Sequence, residues 1–413
     1  MDTTTNDSVP APANGISAGK LSHPVPSPHS SSPLTVPDEI ALYDRQIRLW
    51  GMQAQEKIRS ANILLVTIKA MGNEIAKNLV LAGINSLTIL DPEPVTAADL
   101  GAQFLLSEFD HPEGTPRSVA AAPALQRLNP RVRIHPDPSP IHDKPASFYA
   151  PFDIIIATDL PSPLFSSINA AARTHSRPFY AASSHGLHGF LFADLNLHTF
   201  ILSRARSNIA TPLGPESRTR TILSVVPKPG DEKATELVTK RESYTPWSLA
   251  TSRTATLPAD ILRSPRRRRV VSPLLSCFRA WWEMQARPAI PDERARLAEF
   301  TRLCAEQHAA LGLPAETLRS DVLRAFLQNA PAEEGGGNPE IAPVAAVLGG
   351  QLAQDVINVL GRTQQPVQNF VVFDGEGMEA GVFALHPEGG EEAPAAPSAA
   401  VQGAGTPAVV VVL

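Results

Sequence analysis

Apolar residues in the first half of the chain follow two alternating patterns, a short continuous run and a helical repeat. Residues 62–67 read Asn-Ile-Leu-Leu-Val-Thr, residues 73–82 repeat apolar side chains at helical spacing, and residues 86–91 read Ser-Leu-Thr-Ile-Leu-Asp. Short continuous apolar runs are typical of strands that are buried on both faces. The pattern therefore predicts a strand, a helix that Gly83 ends, and a second strand parallel to the first.

The alternation of predicted strands and helices continues to about residue 193. Regular β–α alternation with short loops predicts a Rossmann-like α/β domain with a doubly wound, mostly parallel sheet. Gly51 is expected to interrupt the first predicted helix. The further predicted elements are helices at 40–58, 117–128 and 164–173 and strands at 132–135, 152–157, 179–182 and 190–193.

A second group of predicted elements lies near the end of the chain. Residues 341–360 predict a long helix containing Gly349-Gly350, a pair that lowers helix propensity and is typical of close backbone packing. Residues 369–374, Asn-Phe-Val-Val-Phe-Asp, predict a strand that returns to the sheet. Between the two groups, residues 203–270 are polar and predict irregular structure. Helical patterns follow at 273–285, 292–311 and 315–327.

Proline content separates the predicted ordered and disordered regions. The chain has 40 prolines in 413 residues, roughly twice the usual share of about 5%, and many lie in polar or Ala/Gly-rich tails. Such segments bury too little apolar surface to offset their ordering entropy. The predicted organisation is a disordered tail at 1–37, the first part of the α/β domain at 38–202, an irregular and helical insertion at 203–330, the second part of the domain at 331–385, and a disordered tail at 386–413.

Composition and charge exclude several classes of protein. Two cysteines are too few for a disulfide framework, a four-cysteine zinc site or an iron–sulfur cluster, and no metal site is expected. A net charge of −5 argues against nucleic acid as the main partner. The continuous apolar runs are far shorter than the ~20 residues of a membrane span. The N-terminus has no secretory-signal pattern, so no membrane association is expected.

The turn after the first predicted strand stands where a nucleotide-binding fingerprint would stand. The G-x-G-x-x-G pattern lets backbone amides approach phosphate at a helix N-terminus. Only Gly72 of this pattern is present, because Thr67 and Lys69 replace the other two glycines. Lys69 could substitute as a phosphate ligand. The loss of both glycines favours instead a remnant that keeps the fold, with Gly72 serving helix–strand packing.

Four longer segments resemble the enzymes that activate ubiquitin-like proteins. They are Tyr43-Asp-Arg-Gln-Ile-Arg-Leu-Trp-Gly51, Gly72-Asn-Glu-Ile-Ala-Lys-Asn-Leu79, Ala342-Pro-Val-Ala-Ala-Val-Leu-Gly-Gly350 and Phe370-Val-Val-Phe-Asp-Gly375. In this form they are similar to the small, regulatory subunits of SUMO-activating enzymes, over roughly residues 37–383. The resemblance implies a ThiF/MoeB-type adenylation fold in its inactive half, paired in a heterodimer with a catalytic SUMO-activating subunit. It also implies SUMO and, indirectly, the SUMO-conjugating enzyme as partners, and the nucleus as the compartment.

Compared position by position, the resemblance implies only a degenerate ATP site, made of Gly72, Asp91 and Asp159. Asp91 matches the acidic residue that holds the ribose. Asp159 matches the metal-proximal aspartate, although Leu160 replaces the usual following asparagine. Three positions that active halves fill with an asparagine, an arginine and a phosphate-binding lysine are here Asp99, Ala102 and Thr115. Because cations that neutralise triphosphate are lost, ATP and Mg²⁺ are expected mainly in the partner's site, with none bound by this chain alone.

The resemblance gives one residue a catalytic role. Arg45 matches an arginine that reaches across the dimer to the γ-phosphate side of ATP in the partner's site, the role of an arginine finger. Arg45 also lies off the apolar stripe of its predicted helix, as a group projecting outward must. The alternative is an ordinary surface arginine. Arg48 is a weaker candidate that could equally pair with Asp44.

No residue of the chain is expected to act as a nucleophile. Cys277 and Cys304 lie in apolar helical patterns, whereas a nucleophilic thiol needs an accessible, electropositive setting, so both are interpreted as small buried hydrophobes. His185 and His188 are expected to belong to a turn. The basic run at 263–269 indicates either a nuclear localisation signal or a solvated loop with a Ser-Pro phosphorylation site.

The predicted function is therefore that of the regulatory subunit of a heterodimeric SUMO-activating enzyme. It would support ATP-dependent adenylation of the SUMO C-terminal glycine and thioester formation on the partner's cysteine. The apolar faces at 75–81 and 344–359 are the expected dimer contacts, unless both are core. The alternatives are a regulatory subunit for another ubiquitin-like modifier, a scaffold without Arg45 chemistry, and a NAD-dependent oxidoreductase with a degenerate fingerprint.

Overall fold

The computed structural model describes residues 37–107, 114–231, 233–330 and 339–387 of the 413. The tails predicted to be disordered, 1–37 and 386–413, lie outside these residues except at their inner ends. There Pro37 begins a helix and His386–Pro387 forms a short strand. The folded body is thus slightly longer than predicted.

The described residues form twelve helices and fourteen strands. The helices are α1 (Pro37–Trp50), α2 (Met52–Ser60), α3 (Ala70–Ala82), α4 (Arg117–Leu128), α5 (Ser162–Thr174), α6 (Trp247–Ala250), α7 (Ala259–Leu262), α8 (Pro265–Arg269), α9 (Leu274–Gln285), α10 (Glu293–Ala310), α11 (Ser320–Gln328) and α12 (Ala342–Gly361). The strands are β1 (Asn62–Val66), β2 (Ser86–Leu90), β3 (Arg133–Asp137), β4 (Ile154–Thr158), β5 (Phe179–His185), β6 (His188–Asp194), β7 (Leu197–Ala205), β8 (Gly214–Pro215), β9 (Arg220–Pro227), β10 (Thr235–Ser243), β11 (Ala255–Thr256), β12 (Phe370–Asp374), β13 (Glu379–Phe383) and β14 (His386–Pro387).

An eight-stranded sheet forms the centre of the fold, in the order β13-β12-β6-β5-β4-β1-β2-β3. The first five strands of the chain are parallel to one another, and the three at the other edge pair antiparallel. This confirms the predicted Rossmann-like α/β class with a mostly parallel sheet, including the strand at 370–374 that returns to it. β6 runs antiparallel because only the two-residue turn at Gly186 joins it to β5, and a parallel connection needs a longer crossover.

Two helical layers cover the sheet, one on each face. Alternate side chains of β1 point to opposite layers: Ile63 and Leu65 pack with α2, α3, α4 and α12, whereas Leu64 and Val66 pack with the layer of α5, α6, α9, α10 and α11. β1, β2, β4 and β5 are buried along their whole length. Burial on both faces is the reason that these strands appear in the sequence as continuous apolar runs.

Helices α3 and α12 pack against each other within the first of these layers. Their apolar faces, offered by the sequence as dimer contacts, are core: Ile75 and Leu79 of α3 and Leu348 of α12 are almost completely buried. Of the large apolar side chains in these two segments, only Leu81 and Val347 remain substantially exposed, at 43% and 47%. A partner would therefore contact the outer surface of this layer and not its apolar stripes.

Residues 197–243 differ from the irregular structure predicted for the segment that begins at residue 203. They form a second, four-stranded antiparallel sheet in the order β7-β10-β9-β8. Glu236 lies directly across from Arg204, and Glu242 directly across from Arg220, with an ion pair in each case. Cross-strand charge pairs stabilise these strands. They place charged residues within the strands, and such residues interrupt the apolar pattern from which a strand is predicted.

One described helix is long and apolar enough to cross a bilayer by length and composition alone. It is α12, Ala342–Gly361, and most of it is buried inside the fold. A helix of this kind is ordinary for the core of a domain. The described residues contain no other such helix.

Candidate functional site

In the turn between β1 and α3, one of the two residues that replace the fingerprint glycines keeps a glycine-like backbone conformation. Thr67 has a φ of 69°, in the left-handed region that favours glycine. Its carbonyl accepts a hydrogen bond from the Thr158 hydroxyl at 2.7 Å, and its N–H donates to the Leu90 carbonyl at 3.0 Å. A Cβ on Gly72 would lie 2.8 Å from the Thr67 carbonyl oxygen. This close approach supports a packing role for Gly72.

The N-terminus of α3, where a phosphate would bind in a nucleotide site, holds a carboxylate of the chain itself. Glu340 Oε1 accepts a hydrogen bond from the N–H of Ala70, the first residue of α3, at 3.0 Å. Its Oε2 lies 3.3 Å from Gln103 Nε2, which donates to it. A negative charge is favoured here by the helix dipole. Sequence reasoning missed Glu340, which lies 270 residues from Ala70.

Asp91, the residue matched to ribose binding, is engaged by a buried arginine. Its Oδ2 accepts hydrogen bonds from Ile68 N at 2.9 Å and from Arg117 Nε at 3.0 Å. Its Oδ1 accepts from Glu93 N at 3.0 Å and from an Arg117 terminal nitrogen at 3.2 Å. Arg117 is 6% exposed and also lies 3.7 Å from Asp99. Both oxygens of Asp91 are therefore used within the chain.

Asp99 and Gln103 complete this internal network. Asp99 Oδ2 accepts hydrogen bonds from the N–H and the hydroxyl of Thr96, both at 2.7 Å, and its Oδ1 accepts one from Gln103 Nε2 at 2.6 Å. Asp99 stands at the asparagine position of the active-half motif. Here it orders its own loop instead.

Asp159 lies at the end of β4, with a φ of 52°. Its Oδ1 accepts hydrogen bonds from the Ser183 hydroxyl at 2.9 Å and from Ser184 N at 3.0 Å. Its Oδ2 is shielded from solvent and has no hydrogen-bond partner among the described residues. Burial raises the pKa of Asp159, and the charge of Lys69 acts in the opposite direction. Burial, with the Asp159 charge, also raises the pKa of Glu340 to about 7.

The residues of this pocket do not fit ATP. The ribose carboxylate is paired with Arg117 and the helix N-terminus is occupied by Glu340. The carboxylates outnumber the cations, since Lys69 and Arg117 face four acidic side chains. These are Asp91, Asp99, Asp159 and Glu340. A triphosphate would have to displace these internal contacts of Asp91 and of the helix N-terminus. No group of three or more metal-ligating side chains occurs among the described residues.

Arg45 lies on the exposed face of α1, away from this pocket. On the opposite face of α1, Tyr43 is buried and its hydroxyl accepts a hydrogen bond from Asn129 Nδ2 at 2.9 Å. Gln46 Nε2 donates a hydrogen bond to the Leu81 carbonyl at 3.3 Å. These contacts attach α1 at the C-terminal end of α3, roughly 18 Å along that helix from the pocket. Arg45 therefore lies at the opposite end of α3 from the pocket of its own chain.

The surroundings of Arg45 distinguish it from Arg48. Arg48 forms an ion pair with Asp44 at 2.9 Å, which confirms the pairing that the sequence left open. Arg45 is flanked one turn away on either side by Leu42 and Leu49, which are 58% and 77% exposed. Leu42 and Leu49 form an exposed apolar pair with Arg45 between them, on a different face of α1 from the buried Tyr43.

The cysteines, histidines and basic run occupy structural positions. Cys277 and Cys304 are fully buried, as predicted, and burial raises the pKa of the Cys304 thiol. His185 and His188 are buried on either side of the predicted turn. Residues 265–269 of the basic run form the short helix α8, capped by the Ser264 hydroxyl.

Comparison with known proteins gives a consistent set of relatives. The model of the ThiF family matches residues 43–392. The DNA damage tolerance protein RHC31 of Saccharomyces cerevisiae is 37% identical over 350 residues, which cover 84% of this chain and 96% of that protein. SUMO-activating enzyme subunit 1 of Xenopus laevis is 32% identical over 345 residues (82% of this chain, 93% of that protein), and that of Homo sapiens is 31% identical over 349 residues (82% and 92%).

Proposed function

The chain belongs to the ThiF family, in the group of SUMO-activating enzyme subunit 1, and we propose that it is the regulatory half of a heterodimer with a catalytic SUMO-activating subunit. Its role as a component of an enzyme that activates a ubiquitin-like protein follows from these relatives. The proposal adds the division of labour. The partner carries the ATP site and the thioester cysteine, and this chain completes the partner's site.

The observation that carries the proposal is the internal closure of the nucleotide-like pocket. Arg117 donates hydrogen bonds to both oxygens of Asp91, and Glu340 accepts one from the first N–H of α3. A chain that adenylated SUMO in its own pocket would need these groups for ribose and phosphate. The buried state of Cys277 and Cys304 supports the same division, because a thioester nucleophile must be accessible.

Arg45 is the residue we assign to the partner's active site. A guanidinium is permanently charged and planar, and it stabilises phosphate charge when it is held in a site that excludes water. The exposed Leu42 and Leu49 on either side give α1 an apolar surface for docking. Docking there would bury Arg45 at the boundary between the two subunits. ATP and Mg²⁺, bound by the partner, supply the activation of the SUMO C-terminal glycine.

The remaining parts of the proposal concern downstream steps and location. The adenylated glycine passes to the partner's cysteine as a thioester and then to the SUMO-conjugating enzyme, which contacts this chain only indirectly. The nucleus is the proposed compartment, and the exposed arginines within 263–269 support it.

The test is a reconstituted reaction with the catalytic subunit, ATP and SUMO. Adenylation is followed by ATP–pyrophosphate exchange for the wild type, Arg45→Ala and Arg45→Lys, with Arg48→Ala as the matched control on the same helix. We expect Arg45→Ala to lower the exchange rate by roughly a hundredfold or more while heterodimer formation, followed by gel filtration, persists. Arg45→Lys should restore only part of the rate because the planar fork is lost. Unchanged exchange with Arg45→Ala would refute the assignment.

The same assay separates the alternatives. Another ubiquitin-like protein in place of SUMO tests for service to a different modifier. A NAD-dependent oxidoreductase is disfavoured, because Arg117 occupies the carboxylate that would hold the nicotinamide dinucleotide's ribose. Full exchange with Arg45→Ala in an intact heterodimer would support a scaffold role without Arg45 chemistry.

A further inference from the structure

We propose that Glu340 is a built-in substitute for phosphate, which occupies the anion cradle at the start of α3 and keeps nucleotides out of this chain's own pocket. The proposal goes beyond the division of labour between subunits, because it names the device that closes the pocket. It concerns the isolated chain and does not depend on Arg45, on the partner or on SUMO.

The amides of the turn supply the first step of the argument. In a phosphate-binding loop, backbone N–H groups at the start of the helix point at the phosphate oxygens. Here the N–H of Ile68 donates a hydrogen bond to Asp91 at 2.9 Å, and the N–H of Ala70 donates one to Glu340 at 3.0 Å. The chain's own carboxylates thus accept hydrogen bonds from these two N–H groups. Two acidic side chains, one from the end of β2 and one from the start of α12, make the contacts that an anionic ligand would make.

Glu340 is held in this position by surrounding elements. The carbonyl of the preceding Pro339 accepts a hydrogen bond from Gly186 N at 3.3 Å, which ties the segment to the turn between β5 and β6. α12 begins two residues after Glu340, and Ala345 N donates to the Ile341 carbonyl at 3.0 Å. Gln103 donates to the second carboxylate oxygen. Hydrogen bonds therefore hold both the backbone segment that carries Glu340 and the two oxygens of its carboxylate.

Charge around Glu340 explains why a second anion would be rejected. Asp159 acts on the pKa of Glu340 in the same direction as burial, which places the two carboxylates in one electrostatic environment. Asp159 Oδ2 is shielded and has no hydrogen-bond partner among the described residues. Lys69 opposes both groups, so an incoming phosphate would have to compete with these two carboxyl groups for one ammonium. Removal of Glu340 frees the helix N-terminus and leaves Lys69 to attract the anion.

The experiment measures anion binding to the full-length chain without its partner. Inorganic pyrophosphate, and separately ADP, are titrated by calorimetry at pH 8, above the raised pKa of Glu340 of about 7, into the wild type, Glu340→Ala and Glu340→Gln. Glu56→Ala, on the exposed face of α2, changes the net charge by the same amount elsewhere and serves as the matched control. Thermal unfolding of each variant reports whether the fold is intact.

We expect Glu340→Ala to bind pyrophosphate with an apparent affinity at least about tenfold above that of the wild type and of Glu56→Ala, because the competing internal carboxylate is gone. Glu340→Gln keeps an acceptor for Ala70 N and removes the charge, so it should give a smaller gain. If Glu340→Ala does not fold, Glu340→Gln decides the outcome. Equal affinity in the wild type and the folded Glu340 variants, including no measurable binding by any of them, would overturn the proposal. ADP binding by the wild type would also overturn it.

Discussion

Replacing each glycine of the Gly349-Gly350 pair by alanine separates close packing from helix propensity. A Cβ on Gly349 would lie 2.7 Å from the Cβ of Glu74 and 3.1 Å from the carbonyl oxygen of Met71, both on α3. A Cβ on Gly350 would have no heavy atom within 4 Å apart from its chain neighbours and the nearby backbone of its own helix. Neither close contact is the far end of a flexible side chain, so α12 must move away from α3 to accept Gly349→Ala.

Two opposing free energies decide the result. Alanine is favoured over glycine inside a helix by about 1 kcal/mol, and both variants receive this gain. Overpacking at a close contact costs about 1–3 kcal/mol, and only Gly349→Ala incurs it. We therefore expect Gly350→Ala to be neutral or stabilising and Gly349→Ala to be less stable than Gly350→Ala by about 1–3 kcal/mol.

The assay is a comparison of unfolding midpoints by calorimetry or circular dichroism. In a domain of this size a difference of 1–3 kcal/mol corresponds to roughly 1–4 °C in Tm. The Gly350→Ala variant controls for the helix-propensity gain because it lies one residue away on the same helix. Equal Tm values for the two variants would refute the packing argument, and a higher Tm for Gly349→Ala would reverse it.

Two further predictions concern association and pH. Leu49→Glu should weaken heterodimer formation by at least about tenfold in a calorimetric titration, because it places a charge in the exposed apolar surface of α1. Leu223→Glu on the second sheet is the control. Equal weakening by both variants would contradict a specific role for α1. Three buried histidines should lower stability as pH drops from 6.5 towards 5, because burial lowers their folded-state pKa to about 3–4 and the unfolded chain therefore binds their protons first, at up to about 2 kcal/mol for each at pH 5. The raised pKa of Glu340, about 7, and of Asp355, about 6, acts in the opposite direction, so the histidine contribution is obtained from the variants. Denaturant midpoints at the two pH values measure this slope, which His386→Gln should reduce and the exposed His142→Gln should not; an unchanged slope with His386→Gln would count against the argument. The three are His185, His198 and His386.

Strands buried on both faces and helices with one apolar face were predictable from their apolar pattern alone. The predicted helix at 117–128 has the observed bounds, and the strand predicted at 62–67 is observed at 62–66. The start of α3 was placed three residues too late, at 73 instead of Ala70. Its first turn lacks a local side-chain cap, since Glu340, distant in sequence, bonds the N–H of Ala70. A local pattern has no means of indicating such a contact.

The four-stranded sheet at 197–243 was not predictable for a related reason. Its strands are stabilised by pairs such as Arg204–Glu236, in which each charge is acceptable only because its counterpart lies across the ladder. Read along the chain, these residues are simply polar. The pairing depends on which strands become neighbours, and that is a property of the fold.

By itself, the sequence determined the class of the fold and the loss of the nucleotide fingerprint, because each depends on residue type and local spacing. Tertiary structure decided how the degenerate pocket is filled. Asp91 and Arg117, and Ala70 and Glu340, come together only when β2, α3, α4 and the start of α12 assemble around the sheet. It also decided that Arg45 faces outward between Leu42 and Leu49, at the far end of α3 from that pocket. Charges act through distance in space, so a closed pocket and an outward-facing arginine are decided only once the chain has folded.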